Sequence, residues 1–364
     1  MAKKVELKAL TIVRFFAAMG VIVYHFYDRT LAPPIIEHIA SGGYVTLFFV
    51  LSGFMLAYIA RPTDDRREFW LRRFARLYPL YVLAWLAFGV FLLLALPTFD
   101  AFTRTLLSYG IPSLLLVQSW IPKAAPVWNW PGWSMSTEAL FFLLFPWLNG
   151  WLRHVRRLGL LIAVILFLNA VLLHFRADLG AATPRALMFA GTMLETTWAR
   201  YLASFPPSFL ALFVLGIALG HLYVQRGPIA ARWWPIALAA TLVTLAFPPT
   251  LAGIEREAYL ALIYCALVYS LASVHVPDNR FTRLFMLLGH ASYAMFILQS
   301  PVWKLYWLAR GIEEQPKPFL DMLPYFVVLI GVSLLAHQFI EKPAADWIRR
   351  RFSPVAPRTA LMTS

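Results

Sequence analysis

An arginine and a histidine share the first apolar stretch of the chain. Residues 9–26 read ALTIVRFFAAMGVIVYHF, nearly long enough to cross a bilayer as a helix, and include Arg14 and His25. Their spacing places them on nearly the same helix face, about 16 Å apart. An arginine inside a spanning helix costs about 2.5–3.5 kcal/mol, which predicts a partner or a function for Arg14. The simpler interpretation is that Arg14 extends to the inner membrane surface and His25 lies at the outer one.

A serine and a carboxylate open a later apolar stretch, WSMSTEALFF, which begins at Trp133. Ser134 and Glu138 are one turn apart on the same face, near the expected outer end of that helix. This is the depth expected for His25, so Glu138 is predicted to contact the imidazole, fix its tautomer and prepare it to take a proton from a hydroxyl. Alternatively, Ser134 caps the helix and the helix N-terminus favours Glu138.

Two arginines one turn apart lie in the loop sequence RPTDDRREFWLRRFARLYP. Arg73 and Arg76 would form a phosphate clamp, because each guanidinium offers a planar fork of donors. The alternative is that they anchor the loop to anionic lipid. Ser52 and Gly53 of the preceding apolar stretch are expected at the depth of Arg14, where a glycine allows close backbone approach.

The outer rim carries glycines and tryptophans. Gly42 and Gly43 are expected beside His25, with helix packing or a turn as the alternative interpretation. The outer loop PKAAPVWNWPGW, which ends at Trp133, is typical of an interfacial aromatic belt. Stacking of these rings on sugars is the second interpretation.

The composition is that of a membrane protein. Of 364 residues, 60% are hydrophobic and 14% are charged, which excludes a soluble globular domain. The apolar runs are continuous, which indicates helices rather than a closed barrel. Loop arginines on the inner side explain the net charge of +14 without nucleic acid. Cys265 is the single cysteine, so intrachain disulfides and multi-cysteine zinc sites are excluded, and no metal is expected.

The elements that must position these residues are about ten transmembrane helices in an all-α fold. They are predicted near 9–26, 43–60, 79–96, 133–150, 159–175, 207–224, 233–252, 257–275, 285–308 and 322–341. Most loop arginines and lysines then fall on the side of the N-terminus, which predicts that both termini are cytoplasmic. Residues 102–121 are predicted to re-enter, broken at Gly110 and Pro112. The Arg73–Arg76 loop is predicted to form an interfacial helix that ends before Pro79.

In this order along the chain, the motifs resemble the acyltransferase-3 family of integral membrane acyltransferases. The matching pieces are R-x10-H at Arg14–His25, VTLFFVLSGF, RRFARLYP, WSMSTEALFFLLFP, LGHASYAMFILQSPV and IEKP. Each motif is weak alone, but the ordered set is specific and extends from end to end. The sequence departs from the pattern at Gln299, where many members carry histidine, so no required role is assigned to that position.

The resemblance implies transfer of an acyl group, usually acetyl from acetyl-CoA, to a sugar hydroxyl outside or across the cytoplasmic membrane. With the residue map, Arg73 and Arg76 are expected to bind the CoA phosphates beside Ser52 and Gly53, and Arg14 to guide the thioester arm. His25 is expected to deprotonate the acceptor hydroxyl with Glu138 orienting it. The expected acceptor-side residues are Ser134, Gly42, Gly43 and Trp133.

Residues 1–345 are assigned to one acyltransferase-type transmembrane domain and 346–364 to a short basic cytoplasmic tail. This form suits modification of a bacterial cell-envelope or secreted polysaccharide at the inner membrane, with exopolysaccharide or its lipid-linked repeat unit favoured. The expected partners are the bilayer, the glycan acceptor and polysaccharide-assembly machinery. The alternative is a transporter or flippase that uses Arg14, His25 and Glu138 as a proton path, without dependence on CoA. A non-catalytic scaffold would leave the intramembrane arginine unexplained.

Overall fold

The structure, a computed structural model, describes residues 5–26, 43–60, 65–121, 124–125, 127–181, 204–227, 233–246, 253–311 and 319–352. Within these ranges the chain forms helices and connecting loops, without β-strands. The α-helices are α1 (Lys8–Phe26), α2 (Tyr44–Ile59), α3 (Arg66–Ala95), α4 (Phe99–Thr105), α5 (Ile111–Leu114), α6 (Trp133–Leu152), α7 (Leu158–Ala181), α8 (Leu210–Arg226), α9 (Trp234–Ala246), α10 (Gly253–Ala272), α11 (Arg280–His290), α12 (Ser292–Arg310), α13 (Leu323–Ala336) and α14 (Lys342–Phe352).

Several helices are long and apolar enough to cross a membrane. Among the described residues, length and composition select four, namely Lys8–Phe26, Arg66–Ala95, Pro206–Arg226 and Leu323–Phe352, and the bent pair α11–α12 would make a fifth. The all-helical membrane character is therefore confirmed. The count of ten spans and the cytoplasmic position of both termini stay predictions.

Two predicted boundaries are wrong. The expected interfacial helix does not end before Pro79, because α3 runs unbroken through that proline for 30 residues. Asp65 begins α3 as its N-cap by accepting a hydrogen bond from the backbone N–H of Glu68. The predicted span 285–308 is two helices, since α11 and α12 meet at Ala291 with a bend of 56°.

The stretch predicted to re-enter is a series of short helical pieces, namely α4, the π-helical turn Leu106–Gly110, α5 and the 3-10 turn Gln118–Trp120. Side chains of α3 donate hydrogen bonds to the backbone carbonyls of this segment. Tyr81 donates its hydroxyl to the Ser113 carbonyl at 2.7 Å, and the Trp85 indole N–H donates to the Gly110 carbonyl at 2.8 Å. The breaks in this stretch are thus supported by neighbouring protein rather than left unpaired.

Two hydrophobic clusters hold the described helices together. In the larger, α2 crosses α8 with backbones in close contact, because a Cβ on Gly53 would meet the Phe213 carbonyl and one on Gly216 would meet the Val50 carbonyl. The second cluster joins α1, α3, α12 and α13 and includes Phe26, the neighbour of His25. The arginines of α1 and α3 lie between these clusters.

Candidate functional site

Polar groups from five helices meet in one cavity, here called the arginine cavity, of about 80 Å³. Its polar lining residues are Arg14 of α1, Ser52 of α2, Arg73 and Arg76 of α3, Ser134 and Glu138 of α6, and Ser292 and Tyr293 of α12. Helix α3 delivers Arg73 and Arg76 together because they are one turn apart on the same face. The structure therefore places Arg14, Arg73 and Arg76 around one cavity.

Two of the three guanidiniums have a buried nitrogen without a hydrogen-bond partner among the described residues. The Nε atoms of Arg14 and Arg73 are buried and have no hydrogen-bond partner among the described residues. A buried polar group left without a partner costs about 1–3 kcal/mol, more when it is charged. Such donors favour an anionic ligand that accepts from them.

The third guanidinium is held at the edge of the cavity. Arg76 Nε lies 3.9 Å from Glu341 Oε1, and the other oxygen of Glu341 lies 2.8 Å from His337 Nδ1. Glu341 and His337 belong to a π-helical turn after α13, which brings both side chains to the same place. Three guanidiniums facing Glu138 and Glu341 leave this region with a net positive charge, which suits a ligand with several negative charges.

His25 lies outside the arginine cavity, in an aromatic setting. Its Nδ1 atom is 2.7 Å from Gln299 Oε1, and its ring centroid is 3.9 Å from that of Trp130. Gln299 is fully buried and donates its Nε2–H to the Phe296 carbonyl at 2.7 Å, which assigns its oxygen to the side of His25. Nδ1 of His25 therefore carries the proton, and Nε2 bears the basic lone pair.

The prediction that Glu138 contacts His25 is wrong. The ring of Trp130, in the 3-10 turn that precedes α6, lies against His25, whereas Glu138 comes later in the chain, within α6. Glu138 consequently lines the arginine cavity. Gln299, which the sequence analysis left without a role, takes the place at Nδ1 that was expected for the carboxylate.

The other predicted site residues fall into separate places. Ser52 and Ser134 line the arginine cavity, while Gly53 is packed against the backbone of α8. Gly43 begins α2 with φ of 62° and has Leu260 as its neighbour, not His25. Trp133 packs on Phe49 and Phe209 in the larger cluster. Gly42 lies outside the described residues.

Three residues that the sequence analysis missed come from one motif. Ser292 and Tyr293 line the cavity and Gln299 meets His25, and all three belong to LGHASYAMFILQSPV. Tyr293 donates its hydroxyl to the Leu77 carbonyl at 2.8 Å, which ties α12 to α3 beside the arginines. The family pattern at position 299 was the available signal, because histidine, which many members carry there, and glutamine both have a side-chain atom that can accept a hydrogen bond.

The family of the chain follows from comparison with known proteins. A family model described as an acyltransferase domain matches residues 7–338. The chain belongs to this acyltransferase-3 family. It is thus a membrane O-acyltransferase, and membership in the family decides against the transporter and the scaffold.

This acyltransferase has relatives of different lengths. It is 32% identical to acyltransferase MdmB of Streptomyces mycarofaciens, over 97% of this chain and 95% of that protein. It is 24% identical to O-acetyltransferase OatA of Staphylococcus aureus, over 91% of this chain and 56% of OatA. It is 27% identical to the putative peptidoglycan O-acetyltransferase YrhL of Bacillus subtilis, over 93% of this chain and 55% of YrhL. The chain thus spans just over half the length of OatA and YrhL. No solved structure matches it.

Proposed function

We propose that this acyltransferase moves an acyl group, acetyl in the simplest case, from cytoplasmic acyl-CoA to a sugar hydroxyl of a cell-envelope or secreted polysaccharide. The observation that carries the donor assignment is the arginine cavity, where Arg14 and Arg73 have buried, unpartnered Nε donors. The phosphates of CoA are anions of the kind that such donors bind. The name of YrhL, a putative peptidoglycan O-acetyltransferase, supports a cell-envelope glycan as the acceptor class, with exopolysaccharide our favoured case.

The roles of the residues follow from their places on α1 and α3. Arg73 and Arg76 hold the phosphates, and Arg14 lies between them and His25, about 16 Å from the imidazole along the helix. His25 Nε2 removes the proton from the acceptor hydroxyl, whose oxygen attacks the thioester carbonyl. The C–S bond then breaks, and the departing CoA thiolate takes that proton from His25. Gln299 keeps the proton on Nδ1 throughout, which leaves Nε2 as the base. Glu138 contributes charge to the donor site rather than to the base.

The test is transfer of radiolabelled acetyl from acetyl-CoA to glycan in proteoliposomes made with the purified enzyme. We expect His25→Ala to lower transfer by about 10²–10⁴-fold, the usual contribution of a general base. His154→Ala, which removes an exposed histidine from the loop after α6, is the matched control and should transfer normally. Equal transfer by His25→Ala would overturn the proposed base.

The donor site is tested separately through the dependence of the rate on acetyl-CoA concentration. Arg73→Ala should raise KM for acetyl-CoA, whereas Arg67→Ala, an exposed arginine of the same helix, should not. No transfer by a folded wild-type enzyme supplied with glycan would contradict acyl-CoA as the donor.

A further inference from the structure

A buried carboxylate pairs with one arginine of the arginine cavity. Glu341, the last residue of the π-helical turn His337–Glu341, is only 4% exposed and does not itself line that cavity. Its Oε1 atom lies 3.9 Å from Nε of Arg76, whose side chain is 40% exposed and does line the cavity. Arg76 therefore links the cavity to the buried charge of Glu341.

The contact between Glu341 and Arg76 is an ion pair without a hydrogen bond. Its length of 3.9 Å exceeds the distance of about 2.7–2.9 Å that is usual for a charge-assisted hydrogen bond. The other oxygen of Glu341, Oε2, accepts a hydrogen bond from His337 Nδ1 at 2.8 Å, which ties the carboxylate to its own helical segment. So long a contact does little to orient a guanidinium, whereas the Coulomb energy falls only with the inverse of distance. Glu341 therefore acts on the cavity through its charge.

A contribution to stability alone explains the placement of Glu341 poorly. A buried ion pair is often no more stabilising than apolar residues of the same volume, because both charges lose their hydration. The carboxylate is presented by a π-helical turn, in which the Lys342 N–H donates to the His337 carbonyl five residues earlier. Single π-helical turns inside α-helices are frequent at functional sites. Both observations favour a functional role for this carboxylate.

The charge of Glu341 opposes the charge of the proposed ligand. Arg14 and Arg73 have buried Nε atoms without partners among the described residues, so phosphates should bind strongly in the cavity. The phosphates that bind the donor are also those of the product, because CoA keeps them after the acyl group has left. A carboxylate beside Arg76 lowers the positive potential of the cavity and with it the affinity for both molecules.

We propose that Glu341 is a buried counter-charge that weakens phosphate binding in the arginine cavity, so that CoA leaves once its acyl group has been transferred. This inference rests on the proposed function, since it takes acyl-CoA as the donor. Glu341 acts on affinity and not on the chemical step at His25. Removing its charge should strengthen CoA binding by about three- to tenfold, the effect expected of one partly screened charge a few Å from an anionic ligand.

Binding of radiolabelled CoA to the purified enzyme in detergent tests this proposal. Glu341→Gln keeps the size of the side chain but removes its charge, so Kd for CoA should fall by about three- to tenfold. Glu341→Asp keeps the charge, and its Kd should stay within about twofold of the wild-type value. Glu68→Gln is the matched control, because Glu68 pairs with Arg72 of α3 at 3.0 Å with both side chains 33% exposed. Solvent screens that pair, so Kd should be unchanged.

A second pair of variants separates repulsion from orientation. Arg76→Gln should weaken CoA binding, and His337 still partners Glu341 in that variant. If Glu341 acted only by orienting Arg76, adding Glu341→Gln to Arg76→Gln would change nothing further. Repulsion by its charge predicts instead that the double variant binds CoA more tightly than Arg76→Gln. This comparison also decides the matter if Glu341→Gln alone does not fold, because the double variant removes both charges of the pair.

Three results would overturn the proposal. The first is a Glu341→Gln variant that binds CoA no more tightly than the wild type. The second is a Glu341→Asp variant that behaves as Glu341→Gln does, since position rather than charge would then matter. The third is equal CoA binding by Arg76→Gln and the double variant. A wild-type enzyme that binds no CoA would instead contradict the proposed function itself, so the two failures are distinguishable.

Discussion

At the scale of single residues, the hydrogen bond from His25 to Gln299 decides which ring nitrogen carries the proton. A neutral imidazole has one donor and one acceptor nitrogen, and the partner of the first sets the role of the second. Gln299 is itself fixed by its bond to Phe296, so its oxygen does not exchange places with its nitrogen. A carboxamide performs this orienting task without adding charge beside the imidazole.

Replacing Gln299 should therefore impair the chemical step and not donor binding. Gln299→Leu removes the acceptor at Nδ1 and is expected to lower kcat by about 10–100-fold, by analogy with the loss of a partner that orients a metal-bound histidine. KM for acyl-CoA should be unchanged, because the arginine cavity is separate from His25. Gln299→Glu keeps an oxygen at this position and should recover much of the lost kcat. Steady-state kinetics in proteoliposomes measure both constants.

The control for Gln299→Leu is Gln118→Leu. Gln118 is equally buried and donates to the Gly132 carbonyl at 2.7 Å, but its partner is not His25. We expect it to lower stability while kcat per folded molecule is kept. A rise in KM without a fall in kcat for Gln299→Leu would show that Gln299 acts on the donor site instead.

Predictions about residues on one helix were correct, because the helical period fixes which side chains share a face. The prediction that required the relative depth of two helices was wrong. The joint face of Arg73 and Arg76 follows from the helical period alone, and the structure places both in the arginine cavity. Glu138 was expected beside His25 because α6 was taken to begin at the membrane surface. The 3-10 turn before α6 instead places the Trp130 ring against His25, and Glu138 lines the arginine cavity. Relative depth depends on such loop folding, which hydropathy does not record.

At the scale of elements, the apolar pattern located the helices, but it missed the continuation of α3 through Pro79 and the bend at Ala291. Proline removes a backbone donor and usually ends a helix, yet α3 continues through Pro79. The break at Ala291 has no proline or glycine at the bend itself to announce it, although Gly289 lies just before. Gly289 packs against the backbone of Thr11, which is a tertiary contact that the sequence alone does not reveal.

The close crossing of α2 and α8 requires glycine at position 216, and the stability of an alanine variant tests this. A Cβ on Gly216 would run into the Val50 carbonyl, and backbone atoms cannot move aside as a side chain does. Gly216→Ala is therefore expected to destabilise the fold by about 1–3 kcal/mol, as overpacking does. Thermal unfolding in detergent measures the effect as a lowered Tm.

The matched control for this crossing is Gly150→Ala in α6, where a Cβ would have no neighbour within 4 Å. Alanine favours a helix over glycine by about 0.8–1.0 kcal/mol, so this variant should be neutral or slightly more stable. If Gly216→Ala unfolded at the same temperature as Gly150→Ala, the close backbone contact would not be present in the folded protein.

At the scale of the whole molecule, donor and acceptor are assigned to different ends of one helix. Arg14 lies toward the start of α1 and His25 at its end, and the loop arginines predict that the start faces the cytoplasm. The proposed reaction then carries an acyl group across part of the membrane rather than along one surface. This arrangement predicts a dependence on the side from which each substrate is added.

Vesicles of known orientation test that dependence, because acyl-CoA does not cross a bilayer unaided. Inside-out vesicles with acceptor glycan enclosed should transfer acyl groups from acyl-CoA added outside, and right-side-out vesicles given both substrates outside should not. Detergent at permeabilising concentration should make the two preparations equal, which controls for enzyme content. Transfer in intact right-side-out vesicles would mean that His25 and the arginine cavity open to the same side of the membrane. The predicted orientation of α1 would then no longer explain why Arg14 and His25 are three helical turns apart.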